Sequence, residues 1–105
     1  MSETIYAVNK ENFIYRHLYL DDNRYPLDLS NYTSMIKVAK YYGSTSVTIP
    51  GVINSPTTGM VSYEALASIW SNMLPGAYVY SRYLYNATNN VVAVVNGDLI
   101  LIPAV

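Results

Sequence analysis

The sequence predicts an all-β fold, an immunoglobulin-like antiparallel β-sandwich of about seven strands with one short helical connection. Three observations carry that expectation. Short apolar stretches are separated by turn signals about every eight to twelve residues, the spacing of a sandwich or barrel. Within the stretches the side chains alternate with the period of two that a pleated strand requires. The length of 105 residues matches the roughly 100 of such a domain, so residues 1–105 read as a single sandwich.

Each element is justified by its residues. Thr4–Val8 reads as a short first strand and Phe13–Leu20 as a full second one, with Phe13, Tyr15, His17 and Tyr19 on one face and Ile14, Arg16, Leu18 and Leu20 on the other; the alternation leaves open which face is core. Asp21-Asp22-Asn23-Arg24 is a tight turn, because Asp and Asn bond their own main chain and tolerate left-handed angles. Pro26 restricts its segment to an edge or a connection. Tyr32–Lys40 is a strand with Ile36 and Val38 inward and Lys37 outward. After a turn at Gly43 and Ser44, Val47–Ile49 forms a short strand that Pro50-Gly51 breaks. Asn54–Thr58 is loop and Gly59–Tyr63 is strand. From Glu64 to Leu74 the spacing changes: Leu66, Ile69, Trp70, Met73 and Leu74 lie three and four apart, which predicts a helical connection with Trp70 as a lid over one end of the sandwich. Ala77–Tyr85 is the next strand, Asn86–Asn90 a hairpin turn and Val91–Val95 its returning partner. Asn96-Gly97 is a strong two-residue hairpin signal, leaving Leu99–Ile102 as a separate last strand.

Composition excludes several function classes. Six basic and seven acidic residues give a net charge of −1 with no basic run, which argues against nucleic acid, whose binding needs clustered Lys and Arg on phosphates. No cysteine is present, so disulfides and thiolate metal sites are out. The first residues lack the basic start and apolar run of a secretory signal, and no stretch has the length and apolarity of a membrane span. The sequons at Asn31 and Asn86 read as turn chemistry.

Chemistry-bearing patterns are equally sparse. His17 is the single histidine, without a nucleophile elbow or an obvious orienting acid, and it reads as a hydrogen-bonded strand residue. Asp21, Asp22 and Asn23 lack the spacing, glycine and terminal glutamate of a calcium loop. Asp28 reads as a partner of nearby backbone and hydroxyl groups. No catalytic residue, cofactor or metal is expected.

The twelve tyrosines are the anomaly. Tyrosine offers a large stiff contact area with a polar tip and is enriched in protein interfaces; it also stacks on sugars. On Ala77–Tyr85 the alternation puts Tyr78, Tyr80, Arg82 and Leu84 on one face and Val79, Ser81, Tyr83 and Tyr85 on the other. One face covers the core, so the other presents tyrosine outward. Charged residues are 12% of the chain, about half the usual share, as suits a domain that spends its life docked.

The ordered motifs "YPLDLSNYT", "IKVAKYYGSTS", "SPTTGMVSY", "LPGAYVYSRYLYN" and "VVNGDLILIPAV" together resemble small virion structural proteins of tailed bacteriophages. The resemblance spans most of the chain from Phe13 onward. It is closest to short virion proteins of marine contractile-tailed phages, including those infecting cyanobacteria, and it extends to the immunoglobulin-like N-terminal module of phage baseplate and tail-fibre proteins. Lys37 stands where that family usually has arginine, and Ser81-Arg82 where acidic residues are expected. The resemblance implies a non-enzymatic structural role in the virion, assembled in a bacterial host, and transfers no catalytic residue. The expected partners are larger tail, baseplate or fibre proteins, with homo-oligomers also compatible. The expected contacts are Tyr80, Arg82, Tyr83 and Tyr85 together with Leu99, Ile100, Leu101 and Ile102, and the expected docking edges are Thr4–Val8 and Leu99–Ile102. Two alternatives stand beside this reading: a capsid decoration protein, and a carbohydrate-binding module with Tyr80, Tyr83 or Tyr85 as stacking platforms.

Overall fold

The computed structural model describes residues 3–42 and 47–104; the expected turn at Gly43 and Ser44 lies outside them. The chain is all-β. Seven strands succeed one another as β1 (Ile5–Val8), β2 (Phe13–Leu18), β3 (Thr33–Ala39), β4 (Val47–Val52), β5 (Met60–Ala65), β6 (Gly76–Tyr85) and β7 (Val91–Ile102), and the only helical turns among the described residues are short 3₁₀ segments at Pro56–Thr58 and Ala67–Trp70. Hydrogen bonding orders the strands β1-β7-β6-β3-β4-β5-β2. The sheet folds over at β4, whose first four residues pair with β3 and whose last two pair with β5. β2 and β5 thereby lie across from β3 and β6, a two-layer β-sandwich arrangement.

Period-two alternation decides what is buried. β3 turns Ser34, Ile36 and Val38 inward, β6 turns Tyr78, Tyr80, Arg82 and Leu84 inward, and β7 adds Leu99 and Leu101. Opposite them stand Phe13 of β2 and Val61 and Tyr63 of β5, so the face of β2 carrying Phe13, Tyr15 and His17 is the core face. Trp70 closes one end as the sequence predicts: its ring meets Phe13 edge-on at 5.7 Å and its Nε1 donates to the Glu11 carbonyl at 3.2 Å. The Asp21 turn is held by Asp21 Oδ1, which accepts from the Asn23 and Tyr25 amides at 2.9 and 3.0 Å. Asn86 Oδ1 does the same for Thr88 and Asn90 at 3.0 Å each.

Four expectations are corrected. Asn96-Gly97 makes no hairpin, for Val91–Ile102 is one unbroken strand. Gly97 pairs with Tyr80, and a β-carbon there would sit 2.7 Å from two ring carbons and the hydroxyl oxygen of Tyr80; the glycine makes room for an enclosed aromatic, a known way of covering strand glycines. Second, β4 runs through Pro50-Gly51. Pro50 sits where the strand is handed from β3 to β5, a place where a missing N–H is tolerated. At Gly51 a β-carbon would fall 2.7 Å from Val61 Cγ1 and 2.9 Å from the Ser34 carbonyl, so the fold-over needs a residue without a side chain. Third, the apolar spacing of 64–74 makes no helix beyond one 3₁₀ turn, because β5 continues to Ala65 and Leu66 and Leu74 face solvent. Finally, the sandwich is not wholly antiparallel. β1 joins β7 in parallel, Ile5 to Leu99 through Val8 to Ile102.

Gly97→Val is expected to cost about 1–3 kcal/mol through overpacking against Tyr80, measured as a drop in the denaturant midpoint. An unchanged midpoint would mean that the Tyr80 ring is free to move aside.

Candidate docking surface

Between the layers lies a polar network built by strand alternation. Tyr63 on β5 stands between Tyr19 at 2.8 Å and Ser34 on β3 at 2.6 Å. Ser34 Oγ also donates to the Tyr83 carbonyl at 2.6 Å. Its single proton is therefore committed, so Tyr63 donates to Ser34 and accepts from Tyr19. Burial pushes the Tyr63 phenol well above its ordinary range, leaving it a neutral donor at any physiological pH. Beside this chain lies Arg82, 5% exposed. Its Nη1 donates to Tyr15 Oη at 3.4 Å, its Nη2 is 3.3 Å from His17 Nε2, and its guanidinium lies 5.6 Å over the Tyr19 ring. Among the described residues its Nε has no partner. None of these contacts is a carboxylate; the nearest link to one runs through Tyr15, whose hydroxyl donates to Glu3. The Glu3 carbonyl accepts from Tyr80 Oη at 2.6 Å, so the residue shortly before β1 ties β6 to β2.

His17 pays for this neighbourhood with its proton affinity. Its pKa is lowered from 6.5 to about 4, first by desolvation and then by the Arg82 charge. The unfolded chain binds the proton more tightly than the folded one, so stability rises with pH. The contribution is full above about pH 6.5 and is lost progressively as the pH falls towards 4. Denaturant midpoints at about pH 7.5 and 5.5 check this: the midpoint is expected to fall between them, and His17→Gln to flatten the slope.

The outer face of β6 and its neighbours is different in kind. Tyr83 and Tyr85 stack on each other at 6.0 Å, Lys37 Nζ lies 5.3 Å over Tyr83, and Tyr85 Oη reaches Met35 Sδ at 4.0 Å. Across the next strand, Val91, Val92 and Val94 are 48, 49 and 48% exposed. β1 covers only Leu99–Ile102 of β7, so among the described residues the strand up to Asp98 has a neighbour on one side only. Its Val91–Gly97 stretch is the longest uncharged edge among the described residues. The opposite edge, β2, carries Arg16 at its middle, paired with Ser62, and Ile14 faces Glu64; charges of that kind discourage strand addition.

The expected contact residues divide accordingly. Tyr83 and Tyr85 lie on the outer face, Ile100 is half-buried and Ile102 exposed. Tyr80, Arg82, Leu99 and Leu101 are corrected: all four are buried on the inner face and are closed to a partner. The Leu99–Ile102 segment is corrected as a docking edge too, since β6 and β1 flank it on both sides. The valines that sequence reasoning missed carried a signal, namely an apolar run without the lysine or proline that normally protects an edge.

The clefts add no chemistry. One of about 630 Å³ is lined by Lys40, Val47, Ile69, Asn72, Met73 and Tyr78, and Lys40 Nζ is already engaged with the Ala77 carbonyl at 3.2 Å and the Tyr78 ring at 4.9 Å. Among the described residues no group of three His, Asp or Glu gathers as a metal would require, and no helix is long and apolar enough to cross a membrane. No protein-family model matches the chain, and no curated protein matches its sequence significantly.

Proposed function

We propose that the chain is a non-enzymatic structural protein of a tailed-phage virion, docking on larger tail, baseplate or fibre proteins through the free half of β7 and the adjoining tyrosine face. The observation that carries the docking is Val91–Gly97, an uncharged strand edge open on one side. Its unpaired main-chain groups are a template for another strand, and Val91, Val94, Tyr83 and Tyr85 provide apolar area beside it. The virion assignment rests on the ordered motifs from "YPLDLSNYT" to "VVNGDLILIPAV" and their resemblance to phage structural proteins. A sugar platform is less well supported, because Tyr80 is enclosed and the Tyr83 ring already lies under Lys37.

Chemical cross-linking and mass spectrometry of purified particles from the virus encoding the chain test this reading. Cross-links are expected from Lys37, beside Tyr83, to a tail or baseplate protein. Stoichiometry near that of the major capsid protein would place it on the shell instead, and absence from washed particles would end the virion reading.

A further inference from the structure

We propose that β1 is an exchangeable strand: two copies of the chain form a dimer in which each lays its segment 3–9 along β7 of the other, with Lys10 as the hinge. The Val91–Gly97 edge stays open in both forms, so the exchange neither needs nor fills it. The occupant of the seat on β7 is defined by its fit. Ile5 and Ala7 are 3% and 4% exposed and belong to the core, and the strand is in register from Ile5 with Leu99 to Val8 with Ile102. Ahead of it the Glu3 carbonyl accepts from Tyr80 Oη at 2.6 Å, and the Glu3 carboxylate accepts from Tyr15. A chain whose β1 has left therefore exposes an apolar groove that β1 of a second copy fills with the same contacts. β1 lies at the edge of the sheet and is bonded to β7 alone, so its departure breaks no other ladder.

The ties around the β1–β2 connection divide at Lys10. Before it, the Asn9 amide donates to the Ile102 carbonyl at 2.8 Å, a bond that travels with β1. After it, the Glu11 carbonyl accepts from Trp70 Nε1 at 3.2 Å and Asn12 Oδ1 accepts from the Ala67 amide at 2.8 Å, and both hold the start of β2 to the body. Lys10 itself is exposed and borders a cleft of about 360 Å³ that Trp70 and Met73 also line. Its φ is 67°, a left-handed conformation that strains a residue with a β-carbon and that glycine adopts freely. Extending the chain at Lys10 relieves that strain. The Glu11 amide to Val8 carbonyl bond, at 3.2 Å, spans the hinge; among the described residues it is the one main-chain bond that the exchange loses. Every other contact of β1 is remade between copies. Short strained connections are the setting in which an element passes from one copy to another at low cost.

Because the chain has no cysteine, Tyr6→Cys combined with Ile100→Cys, a directly paired couple, reports which copy supplies β1. Paired strands lie about 4.8 Å apart, within reach of a disulfide. Light and heavy isotope-labelled chains are mixed, unfolded together, refolded, oxidised and digested. After dilute refolding the linked peptides are expected to carry one isotope. As the refolding concentration rises, a growing mixed-isotope share is expected, alongside a dimer in sedimentation of the unsubstituted chain. Two hinge variants should move the balance in opposite directions. Lys10→Gly removes the strain and is expected to lower the dimerisation constant at least about fivefold. Lys10→Pro forbids a positive φ and is expected to raise the dimer share. Linked peptides of one isotope at every concentration, or a mixed share that Lys10→Gly leaves unchanged, would overturn the exchange. These two results decide even where Lys10→Pro does not fold, and a chain that never exchanges leaves docking at Val91–Gly97 standing.

Discussion

Trp70→Ala is expected to lower the free energy of unfolding by about 3–5 kcal/mol, the range for removing a fully buried large aromatic. The side chain is 1% exposed and does two things at once. Its ring fills the end of the sandwich against Phe13, and its indole N–H satisfies the Glu11 carbonyl in the β1–β2 connection. Alanine leaves a cavity and a carbonyl without its donor. Against the roughly 5–15 kcal/mol of a typical domain, this is enough to threaten folding outright. Trp70→Phe separates the two roles, because it keeps most of the apolar volume and loses only the hydrogen bond; a cost of about 1 kcal/mol is expected. Urea titrations of both variants check the pair. Equal losses would mean that the hydrogen bond, and not the packing, holds this end closed.

Arg82→Met should move stability the other way. A buried cation whose contacts are two hydroxyl or imidazole groups and a ring, with Nε unpartnered among the described residues, bears a desolvation penalty that no adjacent carboxylate offsets. Replacing buried ionic groups by apolar ones of similar volume is commonly neutral or stabilising by about 1–4 kcal/mol, and that range is expected here. The same change removes one of the two causes of the depressed His17 pKa, so the loss of stability on acidification should shrink. A variant less stable than the wild type by more than about 2 kcal/mol would show that the guanidinium, through Tyr15 and Glu3, is a net tie between the layers. Arg82→Lys is the informative control. Lysine keeps the charge and loses the planar fork, so it is expected to be worse than methionine.

The elements legible in the sequence were those with clean alternation. Ile36 and Val38 inward with Lys37 outward, and the split of β6 into a Tyr78–Leu84 face and a Tyr83–Tyr85 face, come from period two alone. Where several physical causes leave one mark, the mark misled. Gly97 after Asn96 is what a hairpin needs and also what an enclosed Tyr80 ring needs; only the partner strand tells them apart. Pro50-Gly51 marks a broken strand or one passed between layers. Leu66, Ile69 and Trp70 fit a helical stripe, yet the connection turns Trp70 and Met73 inward from one 3₁₀ turn and leaves Leu66 and Leu74 in solvent. Arg82 was misplaced as a contact because charge normally marks the surface, and its inward position is dictated only by the strand phase set by Tyr80 and Leu84. The parallel pairing of β1 with β7 spans nearly the whole chain and has no local signature; it covers Leu99–Ile102 and leaves Val91–Gly97, together with the outer side of β1, open among the described residues.

The docking reading depends on the Val91–Gly97 edge. Amide hydrogen exchange over Val91–Gly97, in the dilute isolated chain and in the assembled particle, reads its state residue by residue. Fast exchange is expected at the outward-facing amides of the isolated chain, with strong protection once assembled. Equal rates at these residues in both states would mean that nothing pairs with the edge.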